Sequence, residues 1–153
     1  MHVPLLCAGG VGDEYSFHRA LAEGYAGVQM GTRFLATHEC QVTNSYKQGI
    51  VAASSNDIVL TNKLAGTESS VIRTPMVEAG GLRVNAFLSF LLRQPMTKSY
   101  ARMFLLSQSV NSYKKATFDE THQVWQAGKG VRDIKEVEHV ADIMTRFQSI
   151  LKE

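Results

Sequence analysis

Two short glycine-bearing stretches near the start of the chain carry the residue types suited to holding an anion. Ala8-Gly9-Gly10-Val11 follows an apolar run at residues 3–7, and Gln29-Met30-Gly31-Thr32-Arg33 closes a second run at residues 26–30. A phosphate needs several backbone N–H donors converging on it, and glycine admits the main chain that closely because no Cβ intervenes. Gly9 and Gly10 can supply amides from one turn, and Gly31 and Thr32 from the next, where Thr32 adds a hydroxyl donor. Residues 32–35 read as the first turn of a short helix whose positive end faces the anion. Either turn alone could simply be a tight connection; the pair, with Gln29 and Arg33 beside it, reads as a phosphate site.

Such turns work only if the elements before them end side by side. An apolar run, an amphipathic segment and a second apolar run read as two consecutive β/α units of a parallel α/β fold. In a β/α barrel the loops after the last two strands, with the N-terminus of a short extra helix, form the usual phosphate site. The near-continuous apolar character of residues 3–7 predicts a central strand buried on both faces. Asp13 is a natural N-cap for a helix to about residue 23, with Phe17, Ala20 and Leu21 on one face and Gly24 just past its end.

Further along, Thr37 is expected to cap a helix reaching about residue 53, in which Val42, Tyr46 and Ile50 share a face. Residues 54–57 read as a turn, and residues 58–61 and 70–73 as a small strand pair that Pro75 terminates. Helices are expected at 84–92, 97–109, 118–126 and 133–151. Thr117 and Glu120 have capping-box spacing at the head of the third, and Val137, Val140, Met144, Phe147 and Leu151 form a core stripe on the last. The expected division is residues 1–55 for the β/α units, 56–132 for the strand pair and a helical insertion, and 133–153 for a terminal helix packed on the barrel.

Composition restricts the reading. A chain of 153 residues can form one domain with a core, but a complete barrel takes about 250 residues. The formal charge of +2 and the 20% charged fraction describe an ordinary surface and imply neither nucleic acid nor membrane as partner. Cys7 and Cys40 have no metal spacing and read as small, partly buried residues of a reduced, cytoplasmic protein. His2, His18, His38, His122 and His139 likewise lack the mutual spacing of a metal site.

Ala8-Gly9-Gly10-Val11, followed by Ala20-Leu21-Ala22-Glu23-Gly24-Tyr25-Ala26-Gly27-Val28-Gln29-Met30-Gly31-Thr32-Arg33-Phe34-Leu35-Ala36-Thr37, resembles the FMN-phosphate region of the nitronate monooxygenase family. That family, formerly the 2-nitropropane dioxygenases, also includes the FMN-dependent enoyl-acyl-carrier-protein reductases. Trp125-Gln126-Ala127-Gly128-Lys129-Gly130 resembles the segment before the family's last helix, so the likeness runs through the chain.

The resemblance implies the C-terminal part of a (β/α)8 TIM barrel, its last two strands carrying the FMN-phosphate loops and a mainly helical region following. It places cofactor contacts at Gly9, Gly10, Gln29, Met30, Gly31 and Thr32, with Gln29 beneath the flavin or its ribityl chain. Arg33 has two open roles, pairing with the phosphate or making a structural ion pair, with Glu39 as one partner. Lys63 and Lys129-Gly130 are weaker candidates. The family's substrate-proton histidine lies in an Ala-Gly-Gly-His segment upstream of the strand matching residues 4–7, so no catalytic residue carries over.

The implied activity is oxidation of an anionic nitronate with dioxygen, giving a carbonyl product and nitrite without a metal. The alternative within the family is an enoyl-thioester reductase drawing hydride from NAD(P)H. A third, non-enzymatic reading is a flavin-binding or assembly fragment. Because two barrel strands without neighbours present open edges, the expected partners are a small-molecule substrate and an N-terminal half-barrel, in the same or a separate polypeptide, or a second copy of the chain.

Overall fold

In the computed structural model, which describes residues 3–64 and 66–151, β1 (Leu6–Ala8) and β2 (Gly27–Gln29) run parallel. Leu6, Cys7 and Ala8 lie opposite Gly27, Val28 and Gln29. A parallel pair needs a crossover, and α1 (Glu14–Ala22) provides it. Asp13 caps α1 as expected: its carboxylate accepts the Ser16 amide at 2.8 Å, while the Ser16 hydroxyl oxygen accepts the Asp13 amide at 3.2 Å. One face of the strand pair, through Cys7, Val28 and Met30, packs on Val11, Phe17, Ile143 and Phe147. The Phe17 and Phe147 rings stack with centroids 5.2 Å apart.

The other face is bare. Leu6 is 64% exposed and Val3 67%, so the strand expected to be buried on both sides is buried on one. Its apolar character suits neighbours beyond β2, and among the described residues β1 pairs with β2 alone.

After β2 come the short α2 (Thr32–Leu35) and then α3 (Asn44–Ala52). α3 starts later than expected because Thr43, not Thr37, is its cap; the Thr43 hydroxyl accepts the Tyr46 amide, whereas Thr37 donates to the Phe34 carbonyl. The hairpin of β3 (Ile58–Thr61) and β4 (Ser69–Ile72) is antiparallel. Pro75 opens a helix rather than only closing the hairpin: α4 (Pro75–Gly80) begins there, capped by Thr74, with proline at the first helical position where its missing N–H does no harm. α5 (Ala86–Arg93) and the 21-residue α6 (Lys98–Phe118) pack together.

The C-terminal region differs most from expectation. α6 runs through residue 118, and residues 119–126 form no helix, because the Thr117 hydroxyl bonds back to the Tyr113 carbonyl instead of capping. Glu120 leaves the expected capping box to cap α3, its carboxylate accepting the Asn44 and Ser45 amides at 3.1 Å each. The terminal helix α7 (Val140–Ile150) starts seven residues late, behind a 3-10 helix at Lys129–Asp133. Its buried stripe is Ile143 and Phe147, while Met144 and Leu151 face outward.

The largest core cluster joins Ala36, Tyr46, Ile50, Ile72, Trp125 and Val131, drawing on distant stretches of chain. Tyr46 stacks on Trp125 with centroids 5.8 Å apart, and Gly49 lets the indole sit against α3.

Candidate functional site

β1 and β2 end together, and both glycine turns leave from that end of the sheet. The Gly9 amide donates to the Gln29 carbonyl at 3.4 Å, tying the turns where they begin. Gly9 and Gly10 have φ of 88° and 76°, the left-handed region that glycine adopts without penalty. A Cβ built on Gly9, Gly10 or Gly31 meets no protein atom within 4 Å, so the space before both turns is open. Gly31 has φ of −108° and caps α2 without any side-chain hydrogen bond. The first amides of a helix have no intrahelical acceptor, so those at the head of α2 are free to bind a ligand.

Thr32 is half-buried, and its Oγ1 accepts the Gly128 amide at 2.9 Å. Gln29 is exposed on the bare face, in register with Ala8. Met30 turns its side chain into the cluster around Phe17 and Phe147, so only its backbone is available to the turn. The structure thus brings Gly9, Gly10, Gln29, Gly31 and Thr32 to one end of the strand pair and directs the Met30 side chain away. A cleft of about 520 Å³ runs from Gly9 and Gly10 along α1 to Arg132 and Asp133, and Gly31 and Thr32 lie outside its wall. Burial, with the charge of Asp13 adding, raises the pKa of Asp133, whose Oδ2 has no hydrogen-bond partner among the described residues.

Of the two roles open to Arg33, the structure supports the ion pair, with Glu138 rather than Glu39. Arg33 is 3% exposed, and Nη2 contacts both the Glu138 carboxylate and, at 3.5 Å, the Glu136 carbonyl. Glu138 also binds Arg146 Nη1 at 2.5 Å, and Arg146 Nε lies 3.5 Å from Glu14. These contacts tie α2, α7 and α1 together. The hydrogen bond from Arg146 and the nearby Arg33 charge hold the Glu138 pKa below the usual carboxylate range despite its burial. Glu39 instead pairs with His139 at 3.1 Å and accepts the Val140 amide.

Lys63 donates to the Gly80 carbonyl at the wall of a separate cavity of about 470 Å³, which shares no lining residue with the glycine turns. Lys129 is exposed beside Gly128.

Sequence reasoning missed how Gly128 and Gly130 meet the turns. Gly130 lies against the first, where a Cβ would be 3.3 Å from the Val11 carbonyl oxygen, and a Cβ on Gly12 would be 2.5 Å from the Gly130 oxygen. The Gly128-Lys129-Gly130 spacing signals close backbone approach, but nothing local names the surface approached.

Comparison with known proteins agrees with the motif pattern. The profile of the family described as nitronate monooxygenase matches residues 1–149. A probable nitronate monooxygenase of Bacillus subtilis is 28% identical over 150 residues, covering 96% of this chain and 40% of that protein. A 5-hydroxy-7a-methyl-1-oxo-octahydro-1H-indene-4-carboxyl-CoA dehydrogenase of Mycobacterium tuberculosis is 36% identical over 91 residues, covering 58% of this chain and 26% of its own length. Among solved structures, FabK from Thermotoga maritima superposes with a TM-score of 0.69 at 26% identity, over 99% of this chain and 46% of FabK. The chain therefore spans less than half the length of these proteins.

Proposed function

The chain belongs to the nitronate monooxygenase family, and on that premise we propose that it is the phosphate-binding part of an FMN-dependent oxidoreductase that oxidises alkyl nitronates with dioxygen. In this reading the chain is the C-terminal part of a (β/α)8 barrel, and upstream strands cover the bare face of β1 and β2. The exposed Val3 and Leu6 support that placement, as does the 40% share of the Bacillus relative that the chain covers.

The observation that carries the proposal is the pair of open glycine turns at the shared end of two parallel strands. Gly31 has neither a positive φ nor a protein neighbour that requires glycine, and its open side leaves room for close approach by a ligand. The amides of Gly10, Gly31 and Thr32 and the Thr32 hydroxyl form an all-donor set that suits a phosphate monoester, while the Gly9 amide is taken by the Gln29 carbonyl and Gly9 serves the turn through its positive φ. Arg33 lies buried against Glu138 and takes no part. Gln29, on the face that looks into the barrel, would lie along the ribityl chain or under the ring. FMN, when bound, supplies the two-electron chemistry; the residues described here anchor and orient it.

Titrating the purified chain with FMN tests this. Flavin absorbance should co-elute with the protein after gel filtration, and Gly10→Ala, which strains a φ of 76°, should weaken binding at least tenfold. A chain that stays colourless at high FMN would count against the reading and favour the alternative of an assembly fragment. The similarity to FabK and to a CoA-thioester dehydrogenase favours a second reading, an NAD(P)H-dependent enoyl-thioester reductase. Rapid bleaching of the bound flavin by NAD(P)H would select it over nitronate oxidation.

A further inference from the structure

Thr32 is held from behind. Its Oγ1 accepts the Gly128 amide at 2.9 Å and, among the described residues, its own proton has no acceptor. A hydroxyl that accepts one hydrogen bond becomes a better donor of the next, and its proton is directed away from the group that occupies its lone pair. Two residues later Gly130 lies against the other turn, a Cβ there falling 3.7 Å from the Gly10 carbonyl carbon. One short strap, residues 128–130, therefore touches both glycine turns from the protein side.

The strap is itself anchored. Immediately before it, the Tyr46 hydroxyl donates to the Gln126 carbonyl at 2.6 Å, and the Ala127 amide donates to the Ser70 carbonyl at 3.3 Å. Trp125 is buried against Gly49 and stacked on Tyr46. The strap's position is thus set by α3 and the β3–β4 hairpin, not by the strands that carry the turns.

We propose that residues 128–130 are a positioning element for phosphate-ester binding. The Gly128 amide keeps the Thr32 hydroxyl oriented as a donor to the phosphate, and Gly130 sets the distance of the Gly9-Gly10 turn from it. Gly128 and Gly130 do not touch the ligand; they act through Thr32 and Gly10. The inference rests on the FMN-phosphate reading above and adds to it a dependence on the C-terminal region.

FMN affinity, read by quenching of flavin fluorescence and by competition with inorganic phosphate, provides the test. Gly128→Pro deletes the amide proton and should weaken FMN about tenfold. Gly128→Ala keeps the proton, its Cβ falling an ordinary 3.7 Å from Thr32 Oγ1, and should bind within about twofold of the parent. Thr32→Val should weaken FMN, and Gly128→Pro added to it should cause no further loss, because both remove one shared interaction.

Full affinity in Gly128→Pro, or additive losses in the double variant, overturns the strap. If Gly10→Ala still weakens FMN in that case, the phosphate reading stands without it; if no variant changes FMN binding, both fall. Should Gly128→Pro fail to fold, amide exchange in the unaltered chain decides. The Gly128 amide should exchange more slowly once FMN is bound, and an unchanged rate overturns the proposal.

Discussion

Arg33 stands one residue beyond the proposed anion site and yet serves the fold. Its guanidinium is 3% exposed, and Glu138 is its counter-charge. Burial lowers the Arg33 pKa while Glu138 opposes the shift, so the pair is sound only while both are charged. Removing one member of a buried pair strands the other and costs about 3–5 kcal/mol. Glu138→Gln should therefore destabilise the chain strongly at neutral pH. Arg146, with a side chain 40% exposed, adds little to that loss.

The sign of the pH dependence follows from the direction of the shift. The Glu138 pKa is lower in the folded chain than in the unfolded one, so its contribution is complete above the ordinary carboxylate value of about 4.3. It fades as pH falls from there through the folded value. Urea midpoints of the parent and Glu138→Gln, followed from pH 7 downward, should converge in the acid range. A gap that stays constant to pH 3 would show that the carboxylate charge is not what stabilises the parent.

At the scale of elements, α3 is held at its N-terminus and along its middle by distant chain. Its N-terminus is capped by Glu120, and its middle admits the Trp125 ring at Gly49. A Cβ on Gly49 would fall 2.4 Å from that ring, which is buried on its other sides and has little room to retreat. Gly49→Ala, which on helix propensity alone would stabilise α3 by about 1 kcal/mol, should instead destabilise the chain by about 1–3 kcal/mol. Urea unfolding measures this, and a gain in stability would show that Trp125 moves freely. Because Trp125 leads into the strap, Gly49→Ala should also weaken FMN binding, linking this element to the site proposed above.

At the scale of the molecule, the bare side of β1 and β2 is the feature most in need of a neighbour. Leu6 is 64% exposed on a strand whose sequence suits a buried position. In this chain alone Leu6→Asn should change stability by no more than about 0.5 kcal/mol, as at an ordinary surface position. With the upstream barrel strands present, whether on one polypeptide or supplied separately, the same substitution should cost about 2–4 kcal/mol, as for a core leucine. Comparing the two by denaturant unfolding tests the barrel placement directly. Equal small effects in both would mean that this face stays in water.

What the sequence determined by itself was local. Asp13 and Ser16 are three residues apart and cap α1, the hairpin follows from two short runs rich in β-branched residues around turn residues, and the two glycine turns follow from apolar runs that end in glycine. Each is set by contacts within a few residues, which propensity and spacing can express. Only the tertiary structure decided that Arg33 pairs with Glu138, 105 positions away, that Glu120 caps α3 instead of its own segment, and that α7 begins at Val140. It alone brought Gly128 to Thr32, 96 positions apart. A charge, a carboxylate or an amide has many possible partners of equal chemistry, and only the packing of the core selects which one lies within hydrogen-bonding distance.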